Sequence, residues 1–276
     1  MGKFDGVLIC TDLDGTLYRN DKTISLENRE AIDYFKSEGG CFTFITGRLP
    51  YYSMDAYNAV KPNVPFGCAN GAGLYDGALG KYVWTHEMSK DAIKLAECID
   101  KHVPNLSIQV CGFYNIYFSK DNRASAAFRR ITGLPQILRS YNEVDEPFAK
   151  IIFVSGNSEE LSEAERVLKA HPISQNFEFV RSERSILEIL TKGMTKGVPL
   201  AKLTEHMNLD INKTIAIGDY YNDVGMLKAA GLGIAVSNAC EPALEAADHV
   251  TVSNEEHAIA RVIYDLEAGN ITFKAQ

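Results

Sequence analysis

Basic residues are in deficit in this chain. Its 276 residues hold 28 Lys+Arg against 36 Asp+Glu, a formal net charge of −8. Nucleic acids and anionic membranes are bound sequence-independently through basic patches, so neither is an expected partner. An anionic ligand would need local cations, because the overall field opposes it. No apolar run approaches the ~20 residues of a membrane span. The first residues, Met1 to Asp5, lead directly into an apolar strand with no h-region, so no signal peptide is expected. A myristoylation signal wants Ser or Thr where Gly6 stands. The six cysteines, at 10, 41, 68, 98, 111 and 240, include no CxxC pair. Neither a zinc site nor a disulfide framework is indicated; several sit in apolar runs as small hydrophobes, and a reducing cytoplasm is the expected location. The six histidines are dispersed. His86, His171 and His206 fall near predicted element ends, and none is assigned a catalytic role. The nearest dinucleotide-type pattern, Gly71-Ala72-Gly73 and then Gly77, has the wrong third spacing and no clear helix after it. There is no internal repeat and no low-complexity linker.

What remains is ordinary globular composition, 46% hydrophobic and 23% charged, long enough for two cores. Val7 to Cys10 reads as a strand buried on both faces, as in a parallel sheet. Ser25 is a suitable N-cap for a helix through about Ser37, stopped by Gly39-Gly40. Cys41 to Ile45 is a second buried strand, Pro50 opens a helix to about Val60, and Phe66 to Ala69 is a third strand. Gly73 to Trp84 reads as a hairpin turning at Asp76-Gly77. This β-α-β-α-β order predicts an α/β fold, a doubly wound, mostly parallel, Rossmann-like sheet. From about Thr85 the rhythm changes to an α+β unit. Its helices are expected at Ser89–His102, Asn122–Ile131 and Glu159–Lys169. Its strands are expected at Leu106–Cys111, Phe113–Ser119, Phe148–Val154, Phe177–Arg181 and Ile186–Leu190. The α/β rhythm then resumes with a helix from Thr195 and a buried strand, Lys213 to Ile217. Residues 1–84 and 189–276 are therefore expected to form one core, with 85–188 inserted into it.

Four strand or helix ends of that core carry chemistry-bearing residues. Asp12 and Asp14 follow the first strand, and residues two apart in an extended chain face the same way. Two carboxylates this close repel unless a cation or shared proton intervenes. A divalent metal serves, and hard oxygen ligands favour Mg²⁺. Thr46-Gly47-Arg48 follows the second strand. Lys196 sits at a helix start, where the dipole disfavours a cation unless an anion compensates it. Asp219-Tyr220-Tyr221-Asn222-Asp223 follows a late strand. Each alone has a structural alternative: an Asp-Gly turn, a plain Thr-Gly turn, or an Asp or Asn capping the helix near Val224. Together they suit attack on a phosphate monoester. Mg²⁺ and a lysine neutralise its charge. A hydroxyl and N–H groups of Thr46-Gly47 can hold phosphoryl oxygens. One carboxylate can attack, and another can move the proton.

With these residues in place, Asp12-Leu13-Asp14-Gly15-Thr16-Leu17 resembles the first motif of the haloacid-dehalogenase-like phosphatases. Thr46-Gly47-Arg48 resembles the second motif, Lys196 the third, and Gly218-Asp219-Tyr220-Tyr221-Asn222-Asp223 the fourth. Asn70-Gly71, Leu187-Glu188-Ile189, Met226-Leu227, Asn238-Ala239 and Ala247-Asp248 make the chain more similar to the Cof-type subgroup with a type IIB cap. The resemblance implies that Asp12 is the nucleophile and Asp14 the general acid/base. It implies Mg²⁺ held by Asp12, the backbone carbonyl of Asp14, and Asp219, with Asn222 and Asp223 completing or orienting the shell. Thr46, Gly47, Arg48, Lys196 and Asn222 would meet phosphate or substrate. Where the subgroup commonly reads Asn-Glu-Asp-Gly, this chain has Glu255-Glu256-His257-Ala258.

The insert would be a cap that covers the site, excludes water and contacts the leaving group. Phe113, Tyr114 and Tyr117 either stack on a substrate ring or are sheet and core residues. The activity implied is that of a Mg²⁺-dependent phosphatase with an aspartyl-phosphate intermediate. Its partner would be a small phosphorylated metabolite, a sugar phosphate or a cofactor such as pyridoxal phosphate. The same residues would serve a phosphotransferase or phosphomutase; a metabolite-binding regulatory protein would not need the full set. A monomer or small homo-oligomer is expected.

Overall fold

The computed structural model describes residues 2–132 and 135–274. In chain order the first elements are β1 (Leu8–Thr11), α1 (Leu26–Ser37), β2 (Cys41–Phe44), α2 (Met54–Val60), β3 (Phe66–Cys68), β4 (Gly73–Asp76) and β5 (Lys81–Thr85). The middle of the chain forms α3 (Ala92–His102), β6 (Ser107–Gly112), β7 (Ile116–Lys120), α4 (Arg123–Thr132), β8 (Ile137–Leu138), β9 (Phe148–Val154), α5 (Ser158–Ala170), β10 (Phe177–Glu183) and β11 (Ile186–Thr191). The last are α6 (Gly197–Met207), β12 (Thr214–Gly218), α7 (Val224–Ala229), β13 (Leu232–Val236), α8 (Glu241–Ala246), β14 (His249–Thr251) and α9 (Ala258–Ala268). No helix among the described residues is long and apolar enough to cross a membrane.

The chain divides into two units, 1–85 with 195–276, and 86–194. The first is built on a five-stranded parallel sheet, ordered β14-β13-β12-β1-β2. Its inner strands are buried and mainly apolar because both faces are covered, whereas the edge strand β14 is partly exposed. Ile9, Phe42, Ile215 and Ile217 pack with Ile32 and Phe35 of α1 and Ile259 and Ile263 of α9. Leu8, Cys10 and Ala216 pack on the other face with Leu200 and Leu203 of α6 and Met226 and Leu227 of α7. Ser25 caps α1 as its position predicts, its Oγ accepting from the Asn28 N–H at 3.2 Å. After β1 the chain winds outward to β2. After β12 it winds the other way, to β13 and β14. The reversal falls between the carboxyl ends of β1 and β12, where open α/β sheets leave a crevice.

The third expected strand does not join this sheet. β3 pairs antiparallel with β4, and β4 with β5, in a separate three-stranded sheet; a lone bridge, Ile45 to Gly67, ties β3 to the end of β2. A nearby hairpin offers Phe66–Cys68 a complete ladder at small loop-closure cost, while β2 has already ended.

The second unit has a six-stranded sheet, ordered β10-β11-β9-β6-β7-β8, antiparallel except for β7 with β8. Leu95 and Ile99 of α3 and Leu161 and Leu168 of α5 cover one face, on Ile108, Val110, Ile151, Phe153, Leu187 and Ile189. The expected limits of the insert shift for a pairing reason. Thr85 pairs with Gly73 and so stays with the first unit; Ile189 pairs with Ile151 and Phe179 and so stays with the second. The aromatic stretch from Phe113 is not one strand either. Cys111 pairs with Ile116, so the residues between them must turn. Tyr114 lies at the tip, 70% exposed, whereas Phe113 and Tyr117 are buried. Tyr117 belongs to the apolar core of this unit.

Candidate active site

β1 ends at Thr11, and the Asp12 N–H continues its ladder by donating to the Ile217 carbonyl of β12 at 2.8 Å. Asp12 is thus held against the strand that leads to Asp219. One carboxylate oxygen each from Asp12, Asp219 and Asp223 lies within 4.8 Å of the other two. Lys196, the N-cap residue of α6, is 1% exposed and donates to Asp12 Oδ1 at 2.5 Å and to Asp223 Oδ1 at 2.6 Å. The anion that a cation at a helix start requires is therefore supplied twice. Burial alone would lower the Lys196 ammonium, but the two carboxylates outweigh it and keep it protonated.

One lysine does not balance three carboxylates. Burial pushes the Asp12 carboxyl well above its ordinary range against the pull of Lys196, and the charges of Asp223, Asp219 and Asp14 push the same way. Asp219 is pushed up to about 6, by burial first and then by Asp223. Asp219 Oδ1 accepts from Thr16 Oγ at 2.9 Å. Asp223 is the inner member: its Oδ2 accepts from the N–H groups of Asp219 and Tyr220 at 2.9 and 3.0 Å, so the carboxylate also caps its own loop. Hard oxygen donors with an unbalanced negative charge, at the crevice of an α/β sheet, fit a divalent cation. Gly15 lets the first loop come this close. Its φ is +85°, and a Cβ there would stand 2.4 Å from Asp219 Oδ2.

Asp14 does not share this cluster through its side chain. The strand has ended, so the alternation that would align it with Asp12 no longer applies. Arg48 grips it bidentately, Nε to Oδ2 at 2.8 Å and Nη2 to Oδ1 at 2.7 Å, and Lys22 Nζ reaches Oδ1 at 2.8 Å. Burial works to raise the Asp14 carboxyl, but the hydrogen bonds and charge of Arg48 and Lys22 prevail and hold it below its ordinary range. Arg48, expected at phosphate, is thus engaged with Asp14, and its guanidinium lies 5.2 Å from the Tyr18 ring centre.

Thr46 is buried, and its Oγ accepts from the Arg48 N–H at 3.2 Å. Its carbonyl accepts from Asn70 N–H at 3.2 Å, and Asn222 Nδ2 donates to Asn70 Oδ1 at 3.0 Å. Asn222 therefore joins the Thr46 loop through Asn70. A Cβ on Gly47 would fall 2.7 Å from Asn70 Oδ1 and would displace the Asn70 amide. Asn70 has φ +53°, and Asn is among the few side chains that tolerate the left-handed region. Its position in Asn-Gly after a strand was a readable signal of a tight turn, but its role in linking two loops was not. Lys22 carried no such signal, and Thr16 and Asn238, although within the motifs, had no assigned role. Asn238 Nδ2 donates to the Gly15 carbonyl at 2.9 Å, and Asn238 Oδ1 accepts from Asn254 N–H at 2.9 Å. The divergent segment at 255–258 has its own device: His257 takes φ +61° just before α9.

A family model described as haloacid dehalogenase-like hydrolase matches residues 9–263. The 5-amino-6-(5-phospho-D-ribitylamino)uracil phosphatase YitU of Bacillus subtilis is 27% identical, over 93% of this chain and 96% of that protein. The pyridoxal phosphate phosphatase YbhA of Escherichia coli is 25% identical, over 93% and 97%. Among solved structures, a haloacid dehalogenase-like hydrolase from Bacteroides thetaiotaomicron superposes with a TM-score of 0.82 at 26% identity, over 96% of this chain and 100% of that one.

Proposed function

The chain belongs to the haloacid dehalogenase-like hydrolases of the Cof type, and on that premise we propose that it is a Mg²⁺-dependent phosphatase of small phosphorylated metabolites. The observation that carries the reading is the buried Lys196 between Asp12 and Asp223, with Asp219 beside them. Asp12 and Asp219, with Asp223 behind them and the backbone of Asp14, would hold the cation. When bound, Mg²⁺ would neutralise phosphoryl and carboxylate charge.

Asp12 attacks phosphorus while the bond to the leaving oxygen breaks, and Asp14, which must first take up a proton against the pull of Arg48 and Lys22, delivers it to that oxygen. In the second step water attacks phosphorus and gives a proton to Asp14, and the bond to Asp12 is released. The proton gained in one turnover serves the next. Lys196 pulls the nucleophile toward its ionised form against burial, which the cation would complete, and meets phosphoryl charge after attack. Thr46 and Gly47 hold phosphoryl oxygens. The inserted unit selects the leaving group. The substrates named for the two relatives, pyridoxal phosphate and 5-amino-6-(5-phospho-D-ribitylamino)uracil, head the panel to test, with sugar phosphates beside them.

The test is phosphate release across that panel with Mg²⁺. Turnover should stop with a chelator and return with Mg²⁺, and Asp12→Asn should abolish it with the fold intact by circular dichroism. Turnover retained by Asp12→Asn would overturn the nucleophile, and indifference to chelation would overturn the cation.

A further inference from the structure

Lys22 is the one member of the Asp14 grouping that no motif predicts, and its backbone is unusual. Its φ is +64°, in the left-handed region that glycine and asparagine occupy readily and lysine does not. The loop holds it there. Arg19 N–H donates to the Thr23 carbonyl and Lys22 N–H to the Arg19 carbonyl, both at 2.9 Å. Asp21 Oδ1 accepts from Thr23 N–H and Thr23 Oγ at 2.9 and 2.6 Å. The loop is also fastened from outside: Asn20 N–H donates to Glu255 Oε1 at 2.7 Å, and Asn254 Nδ2 donates to the Tyr18 carbonyl at 3.0 Å.

Stability does not explain a lysine at this turn. Its side chain is 62% exposed, and an exposed ion pair contributes less to folding than a left-handed lysine loses. The strained position does deliver one thing, an ammonium on Asp14 Oδ1. That oxygen already accepts from Arg48 Nη2, so it carries two charged donors, whereas Oδ2 carries one, Arg48 Nε. We propose that Lys22 is a positioning residue for Asp14: with Arg48 it occupies Oδ1, fixes the carboxylate plane and leaves Oδ2 as the oxygen that exchanges a proton with leaving group and water. The inference rests on Asp14 serving as general acid and base, as read above.

A proton donor matters most when the departing oxygen is a poor leaving group, and little when it leaves as a stable phenolate. The test therefore compares kcat/KM on benzyl phosphate and on 4-nitrophenyl phosphate, with Mg²⁺ present, for wild type, Lys22→Asn, Lys22→Arg and Asp14→Asn. Lys22→Asn suits the left-handed backbone but cannot reach Asp14, so its melting temperature should not fall. It should lose ~10-fold on benzyl phosphate and less than ~2-fold on 4-nitrophenyl phosphate, the lost positioning outweighing the easier protonation that removing a cation gives, with Lys22→Arg recovering most of the loss. Equal losses on both esters, or no loss on benzyl phosphate, would overturn the positioning role. Asp14→Asn should show the same contrast more strongly. If it does so and Lys22→Asn does not, only the lysine inference fails. If Asp14→Asn reduces both esters equally, the general-acid reading itself falls and the inference with it.

Discussion

Asp219 should weaken the fold when no cation is bound, and its replacement by asparagine should strengthen it. The carboxyl is pushed from its ordinary 3.8 to about 6 by burial and by Asp223. Below 3.8 both folded and unfolded states hold the proton, and the residue does not bias folding. Between 3.8 and about 6 the unfolded state releases it and the folded state does not, so rising pH favours unfolding. Above about 6 the full penalty is present, and at about 1.36 kcal/mol per pH unit it reaches about 3 kcal/mol. Because Asp219 and Asp223 share the repulsion, about 1–3 kcal/mol is the expected gain for Asp219→Asn at pH 7.5. Asparagine keeps an oxygen for the Thr16 hydroxyl, so that hydrogen bond survives. The assay is thermal unfolding in EDTA at several pH values, with about 2–4 °C expected per kcal/mol for a domain of this size. The advantage of Asp219→Asn should shrink from pH 7.5 toward pH 5. Saturating Mg²⁺ should narrow it, since a ligand at a hundred times its Kd stabilises by about 2.7 kcal/mol and the variant lacks one carboxylate to bind it. A variant no more stable than wild type in EDTA at pH 7.5, or an advantage that does not vary with pH, would refute the argument that Asp219 is charge-frustrated.

Two further changes test the scaffold. Gly15→Ala places a Cβ 2.4 Å from Asp219 Oδ2 at a φ of +85°, and should lower stability by about 1–3 kcal/mol in urea titrations while weakening the response to Mg²⁺. Wild-type stability and an unchanged Mg²⁺ response would show that the loop has room to retreat. Ser25→Ala removes the side-chain cap of α1 and should cost about 1 kcal/mol by the same measurement, with phosphate release unchanged. A change in turnover would mean that α1 has a part in the site beyond support.

Much of this architecture was legible locally. Leu8 to Thr11 could be read as a strand covered on both faces because the apolar run is continuous, and α1 and α9 on one side and α6 and α7 on the other supply the cover. Ser25 announces its helix because capping is settled within four residues. The partner of Phe66–Cys68 was not legible, since a short apolar run fits a parallel sheet or a hairpin equally. Nor was the turn within Phe113 to Tyr117, because aromatic residues favour a strand and the reversal is imposed by the pairing of Cys111 with Ile116. The limits of the inserted unit moved for the same reason: they depend on which strand Ile189 pairs with, 38 positions away in sequence at Ile151.

The sequence by itself determined the residue types at the strand ends, their order, and the scarcity of cations that makes each local lysine or arginine count. Those follow from short-range patterns: an apolar run, a turn, a polar residue after it. Tertiary structure decided which charges meet. Lys196 comes to Asp12 across 184 residues and to Asp223 across 27, and Arg48 and Lys22 draw Asp14 out of the cluster its spacing seemed to join. Charge pairing depends on distance in space and on burial, and neither quantity is written in the spacing along a chain.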